Sequence, residues 1–153
     1  MRAAAGHAGI YDLLVAVHVA SAVVGFGAVA LSGAYGARAR RAHTPGAGEE
    51  VDRYFRSKGR AEYLILAVPF LGVAALSVRP GGNDYADVWV VAALLIWLAA
   101  AAALLLVVRP AERRIREGTR DGAVMPGTRL MWSAALCDVL FVAALALMVT
   151  QPL

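Results

Sequence analysis

Cysteine occurs once in this chain, at Cys137, and lysine once, at Lys58. A single thiol excludes an intramolecular disulfide and any cysteine-based metal cluster within one chain. In its apolar surroundings Cys137 reads as a small buried side chain. Histidine is confined to His7, His18 and His43. The sequence also lacks a glycine-rich phosphate loop, a nucleophile with a nearby base, and a carboxylate pair, so it carries no recognisable catalytic set. Charge is scarce: 17% of residues are charged against 60% apolar, and the mean hydropathy of +0.63 excludes an ordinary soluble domain. Lys and Arg outnumber Asp and Glu by 15 to 11. The basic residues stand between the apolar runs, where membrane topology accounts for them, and no nucleic-acid partner is expected.

What is present in place of charge is four long apolar stretches: Leu13 to Ala37, Tyr63 to Val78, Val88 to Val108, and Leu130 to the C-terminus, the last interrupted only by Asp138. Runs of this length read as transmembrane helices, with spans expected at about 11–36, 61–78, 87–108 and 130–150. The first exceeds the apolar core of a signal peptide and is expected to stay as a mature helix. The second has sixteen uncharged residues, about 24 Å of helix. Glu62 and Arg79 are therefore expected to reach toward the headgroups, or the bilayer to thin.

Thirteen of the fifteen positive charges lie in Arg38 to Arg60 and Arg109 to Arg129. Positive loops mark the cytoplasmic side, so both termini and the Arg79 to Asp87 connection are expected outside. Within the first basic loop "HTPGAGEE" is a turn, and Glu49, Glu50 and Asp52 suit the first turn of a helix. That helix is expected to continue through Tyr54 and Phe55 into the second span. Short connections favour one domain, an all-α antiparallel bundle of four transmembrane helices, N-out and C-out, multi-pass in the cell membrane, the bacterial inner membrane.

With this topology each polar residue acquires a depth. Ser21 and Trp97 lie about 15 Å and Asp138 about 18 Å below the outer surface, counting 1.5 Å per residue. Pro69 enters at a similar level and removes the helical partner of the Ile65 carbonyl. An intramembrane polar layer of Asp138, Trp97, Ser21 and freed backbone is the expected result. In it Asp138 is neutral, because a charged carboxylate at a helix centre costs about 2.5–3.5 kcal/mol. His18 lies nearer the outside, about 10 Å deep. The opposed lean of side chains on antiparallel helices argues against a His18–Asp138 bond, and Asp12 or Tyr11 are the expected partners. His18 shares a face with Gly25 and Ser32, flanked by Leu14, Ser21, Ala28 and Tyr35, and small residues such as Ser21-x-x-x-Gly25 let another helix approach closely.

The stretches "YDLLVAVHVASAVVGFG", "LLLVVRPAERRI" and "ALMVTQP" resemble an uncharacterised bacterial family of predicted integral membrane proteins, domain of unknown function 2269. The resemblance covers nearly the whole chain and implies four helices with a histidine in the first, here His18. The family's ending commonly has lysine before the last proline, where this chain has Gln151. A more distant similarity runs to copper-resistance membrane proteins of the D type and to membrane protoporphyrinogen oxidases. The latter would imply haem at the histidine, although "GAVALSGAYGAR" departs from that group after the glycines.

Two readings of function follow. One is a small, non-enzymatic membrane protein, structural or accessory to a larger complex, needing no cofactor. Its expected partners are the lipid bilayer and either other membrane subunits or further copies of itself. The other is a haem-binding or redox bundle with His18 as axial ligand and Met148, or His18 of another subunit, as the second. One membrane histidine, one aspartate and scattered methionines do not make a metal-transport set.

Overall fold

The computed structural model describes residues 2–41, 47–57, 59–79, 85, 87–120 and 128–150. The turn around His43 to Gly46, most of the Arg79 to Asp87 connection, and Gln151 lie outside the described residues. All regular elements among those described are helical: α1 (Arg2–Arg41), α2 (Ala47–Ser57), a 3-10 turn (Ala61–Tyr63), α3 (Leu64–Ser77), α4 (Val88–Ala103), a π segment (Leu104–Val108), α5 (Arg109–Arg120) and α6 (Thr128–Thr150). Three helical stretches are long and apolar enough to cross a membrane, namely Gly9–Ala39, Val88–Glu117 and Thr128–Thr150. A fourth is reached if α2 and α3, bent by 51° at their junction, count as one.

Two sequence expectations are corrected here. The helix that starts near Glu49 does not run on into the second apolar stretch. It ends at Ser57, and Gly59 and Arg60 separate it from the 3-10 turn that opens α3. Nor is the segment after Val108 a loop at its start: the chain stays helical through the π segment and α5 to Arg120. Both short helices are amphipathic for the same reason. Val51 and Phe55 are buried on α2, and Val108, Glu112 and Ile115 form a buried stripe continuing into α5, while Arg53, Arg56, Arg113 and Arg116 are exposed. Buried positions at i and i+4, and on α5 at i+7 as well, give each helix one face to pack.

The side-chain contacts fix how the long helices run. Phe26 stacks on Phe141 at 4.8 Å, and Gly33 and Gly36 lie against Ala134 and Leu130, so α1 and α6 are antiparallel. Gly25 meets Ile65 while His18 meets Val68 and Gly72, which makes α1 and α3 antiparallel too. Helix α1 thus sits between α3 and α6, α6 between α1 and α4, and α3 and α4 meet over a shorter stretch. The shared core centres on Val29, Ile65, Leu104, Leu130 and Cys137, all fully buried. Outward faces carry Leu13, Val23, Leu31, Phe70, Leu95, Leu106 and Val142, an apolar surface that suits lipid and not water.

Gly25 and Gly33 explain why α1 holds two neighbours. A Cβ at Gly25 would lie 2.8 Å from Cγ1 and 2.9 Å from the backbone nitrogen of Ile65, and one at Gly33 would lie 2.5 Å from the Ala134 Cβ. Backbones that approach this closely need a residue without a side chain at the contact.

Candidate functional site

Helix α3 is the shortest of the apolar helices and contains Pro69. Proline has no amide hydrogen and its ring displaces the carbonyl one turn back, so Ile65 loses its ordinary acceptor role within the helix. The Trp97 indole of α4 supplies the missing donor, its Nε1–H bonding the Ile65 oxygen at 2.7 Å. From the neighbouring helix α1, His18 donates from Nδ1 to the Val68 carbonyl of α3 at 2.8 Å. Its ring lies over Gly72, where a side-chain carbon would come within 3.1 Å of Cε1. The two acceptor residues, Ile65 and Val68, both just before Pro69, are buried.

This geometry changes the expected partnerships. His18 bonds neither Asp12 nor Tyr11. The glycine contact at Gly25 brings α3 close enough for the imidazole to reach across to it instead. Trp97 is joined to freed backbone, but neither Ser21 nor Asp138 is joined to Trp97 or to each other. Asp138 is half-buried, set between exposed Leu136, Val139 and Val142, and has no hydrogen-bond partner among the described residues. Ser32, lower on α1, is fully buried and donates to the Ala28 carbonyl at 3.0 Å.

A second polar cluster lies where the two arginine-rich stretches converge, at the opposite end of α1 from its N-terminus. Glu62, in the 3-10 turn, is fully buried and Glu112 of α5 nearly so. Between them Arg109 Nη1 stands 2.7 Å from Glu62 Oε1 and 3.6 Å from Glu112 Oε2, with its guanidinium 4.7 Å from the centre of the Tyr63 ring. The charge-assisted bond offsets part of the desolvation of the carboxylate, and the cation–π contact stabilises the guanidinium that makes it. Beside this cluster Tyr35 and Tyr54 stack at 3.8 Å with planes 7° apart, and the Tyr54 hydroxyl lies 3.5 Å from Ser32 Oγ. Burial above all, with a smaller contribution from the Glu112 and Glu62 carboxylates, pushes the Tyr54 phenol above its ordinary pKa, so it serves as a neutral hydrogen-bonding group.

Sequence reasoning missed this cluster: it expected Glu62 to reach toward the headgroups or the bilayer to thin, and gave it no protein partner, whereas the structure buries it against Arg109. The missed signal was spatial. Glu62 begins one apolar stretch and Arg109 ends the next, so antiparallel packing puts opposite charges at one level, and Glu112 follows Arg109 at the i+3 spacing that shares its face. Among the described residues no group of three or more His, Cys, Asp or Glu could hold a metal ion.

A family model described as predicted integral membrane protein (DUF2269) matches residues 12–152. No curated protein and no solved structure matches the chain.

Proposed function

The chain belongs to the DUF2269 family of predicted integral membrane proteins, and we propose that it is a non-enzymatic four-helix transmembrane protein, structural or accessory to a larger membrane assembly. The observation that carries the reading is the use made of His18 and Trp97: both are spent on the backbone of the proline-containing helix α3. Polar side chains of this kind fix helix packing where no water can satisfy a carbonyl. Asp138 supports the accessory part. A carboxylate within an apolar helix that finds no partner among the described residues fits a contact with another subunit or a second copy, since such groups are otherwise costly. The protein resides in the cell membrane, in a bacterium the inner membrane, with N-terminus and C-terminus outside.

That orientation is supported by the convergence of both basic stretches at one end of the molecule and is tested by labelling. In a Cys137→Ser background, single cysteines at Gly46 and Gly118 should resist an impermeant maleimide on intact cells, and one at Gly82 should react. The reverse pattern refutes the orientation.

Haem binding is the second reading, and one feature favours it. With Nδ1 donating to the Val68 carbonyl, the neutral ring presents its lone pair on Nε2, the arrangement that a backbone acceptor imposes on metal-binding histidines. The packing reading expects no Soret band in protein expressed with ample haem. It expects His18→Leu to destabilise by about 1–2 kcal/mol in thermal unfolding in detergent, with His18→Gln retaining more of the stability. A stoichiometric Soret band removed by His18→Ala, and retained by His7→Ala and His43→Ala, would establish the haem reading instead.

A further inference from the structure

The helical rod formed by the end of α4, the π segment and α5 does not close fully on α6. Between them lies a groove of about 920 Å³. Its deeper half is apolar and faces the hydrocarbon: Leu106 and Leu136 line it and are 74% and 52% exposed. Its rim is basic. Arg114, one and a half turns past the end of the apolar run, and Arg129, at the first turn of α6, line it from opposite sides with Thr128. Among the described residues neither arginine has an ion-pair partner and no carboxylate lines the groove. This distinguishes them from Arg38, Arg56, Arg109 and Arg113, each of which stands beside an acid. Trp132, 66% exposed, lies one turn inside the rim, where an indole favours the boundary between headgroup and chain.

We propose that this groove is a binding site for one anionic phospholipid. Its phosphate would lie between the Arg114 and Arg129 guanidinium groups beside the first turn of α6, and its acyl chains would lie along Leu106 and Leu136. Two features of the site select that ligand. Two cations on one rim, with no acid partner among the described residues, call for an anion. The lower wall is apolar and open to the bilayer, which suits a ligand with chains and would leave a free phosphate without contacts. Basic pockets between helices at the membrane boundary recognise lipid headgroups in this way. The inference goes beyond the packing role proposed above and does not depend on which side of the membrane the groove faces.

The test is retention of phosphatidylglycerol against phosphatidylcholine of identical chains, measured by native mass spectrometry on the full chain released from detergent. An arginine near an anionic surface contributes about fivefold, so the pair should give a preference of roughly 30-fold for phosphatidylglycerol. Arg114→Gln/Arg129→Gln should bring the preference close to parity. Arg53→Gln/Arg113→Gln, which removes the same charge at exposed positions away from the groove, should leave it unchanged. A second readout needs no arginine variant: phosphatidylglycerol brominated on its chains should quench the intact protein's fluorescence more than it quenches the Trp132→Phe variant. Parity in the native protein, equal loss in both double variants, quenching independent of Trp132, or displacement by glycerol phosphate at lipid-equivalent concentration would each overturn the proposal.

Discussion

Arg109→Ala is expected to be the most damaging single truncation of a charged residue in this protein, lowering stability by about 3–5 kcal/mol, the range for breaking a buried ion pair from one side. The reason is what remains. Glu62 is fully buried, and without the guanidinium at 2.7 Å its carboxylate loses the charge that compensates its desolvation, while Glu112 loses its neighbour at 3.6 Å. The exposed pairs Arg38–Glu50 and Arg113–Glu117 are of the kind worth at most about 1 kcal/mol. Unfolding in detergent, followed by tryptophan fluorescence, should separate Arg109→Ala clearly from Arg113→Ala. Glu62→Gln should cost less in the Arg109→Ala background than alone, because the two residues act as one unit. Equal effects of Arg109→Ala and Arg113→Ala would mean that the buried pair does not hold α5 to the 3-10 turn.

Glycine-to-alanine exchange in α1 should give a comparably sharp contrast. Gly25→Ala pushes a methyl group into the Ile65 backbone nitrogen, and Gly33→Ala pushes one into the Ala134 Cβ. Neither obstacle is the end of a flexible side chain, so the helices must separate. A loss of about 1–3 kcal/mol is expected for each, as for overpacked cores generally, and more for Gly33→Leu. Gly27 supplies the control, since a Cβ there meets nothing within 4 Å. Gly27→Ala should be neutral or gain about 0.5–1 kcal/mol from helix propensity. If thermal unfolding midpoints rank Gly25→Ala with Gly27→Ala, α1 and α3 do not approach at Gly25.

These contrasts mark where the sequence was readable. Uninterrupted apolar runs this long become helices in a bilayer, because a single segment satisfies its own backbone there only as a helix, and so α1, α4 and α6 were legible from charge spacing alone. The freed Ile65 carbonyl was legible as well, since proline's missing amide is a covalent fact, and depth counting put Trp97 near the level of Pro69. Depth does not give rotation about a helix axis, however. That is why Asp138, counted to the same level, is not joined to Trp97, and why His18 was assigned to residues of its own helix when its acceptor lies on α3. Glu62 was misplaced for a related reason: an acid at the end of an apolar run looks solvent-bound until the opposing helix supplies Arg109. The charged stretch from Arg109 looked like a loop because its few apolar residues, Ala111 and Ile115, reveal an amphipathic helix only when phased with Val108.

The hold on α3 also has a consequence for biosynthesis. The chain emerges N-terminus first, so α3 leaves the ribosome with His18 already available on α1 but with the Ile65 carbonyl unmatched. Its donor, Trp97, comes with the next apolar helix, α4. Hydrocarbon penalises an unmatched carbonyl. Release of α3 into lipid is therefore disfavoured until the next apolar helix has been made, and α3 and α4 are best delivered to the bilayer together as a helical hairpin.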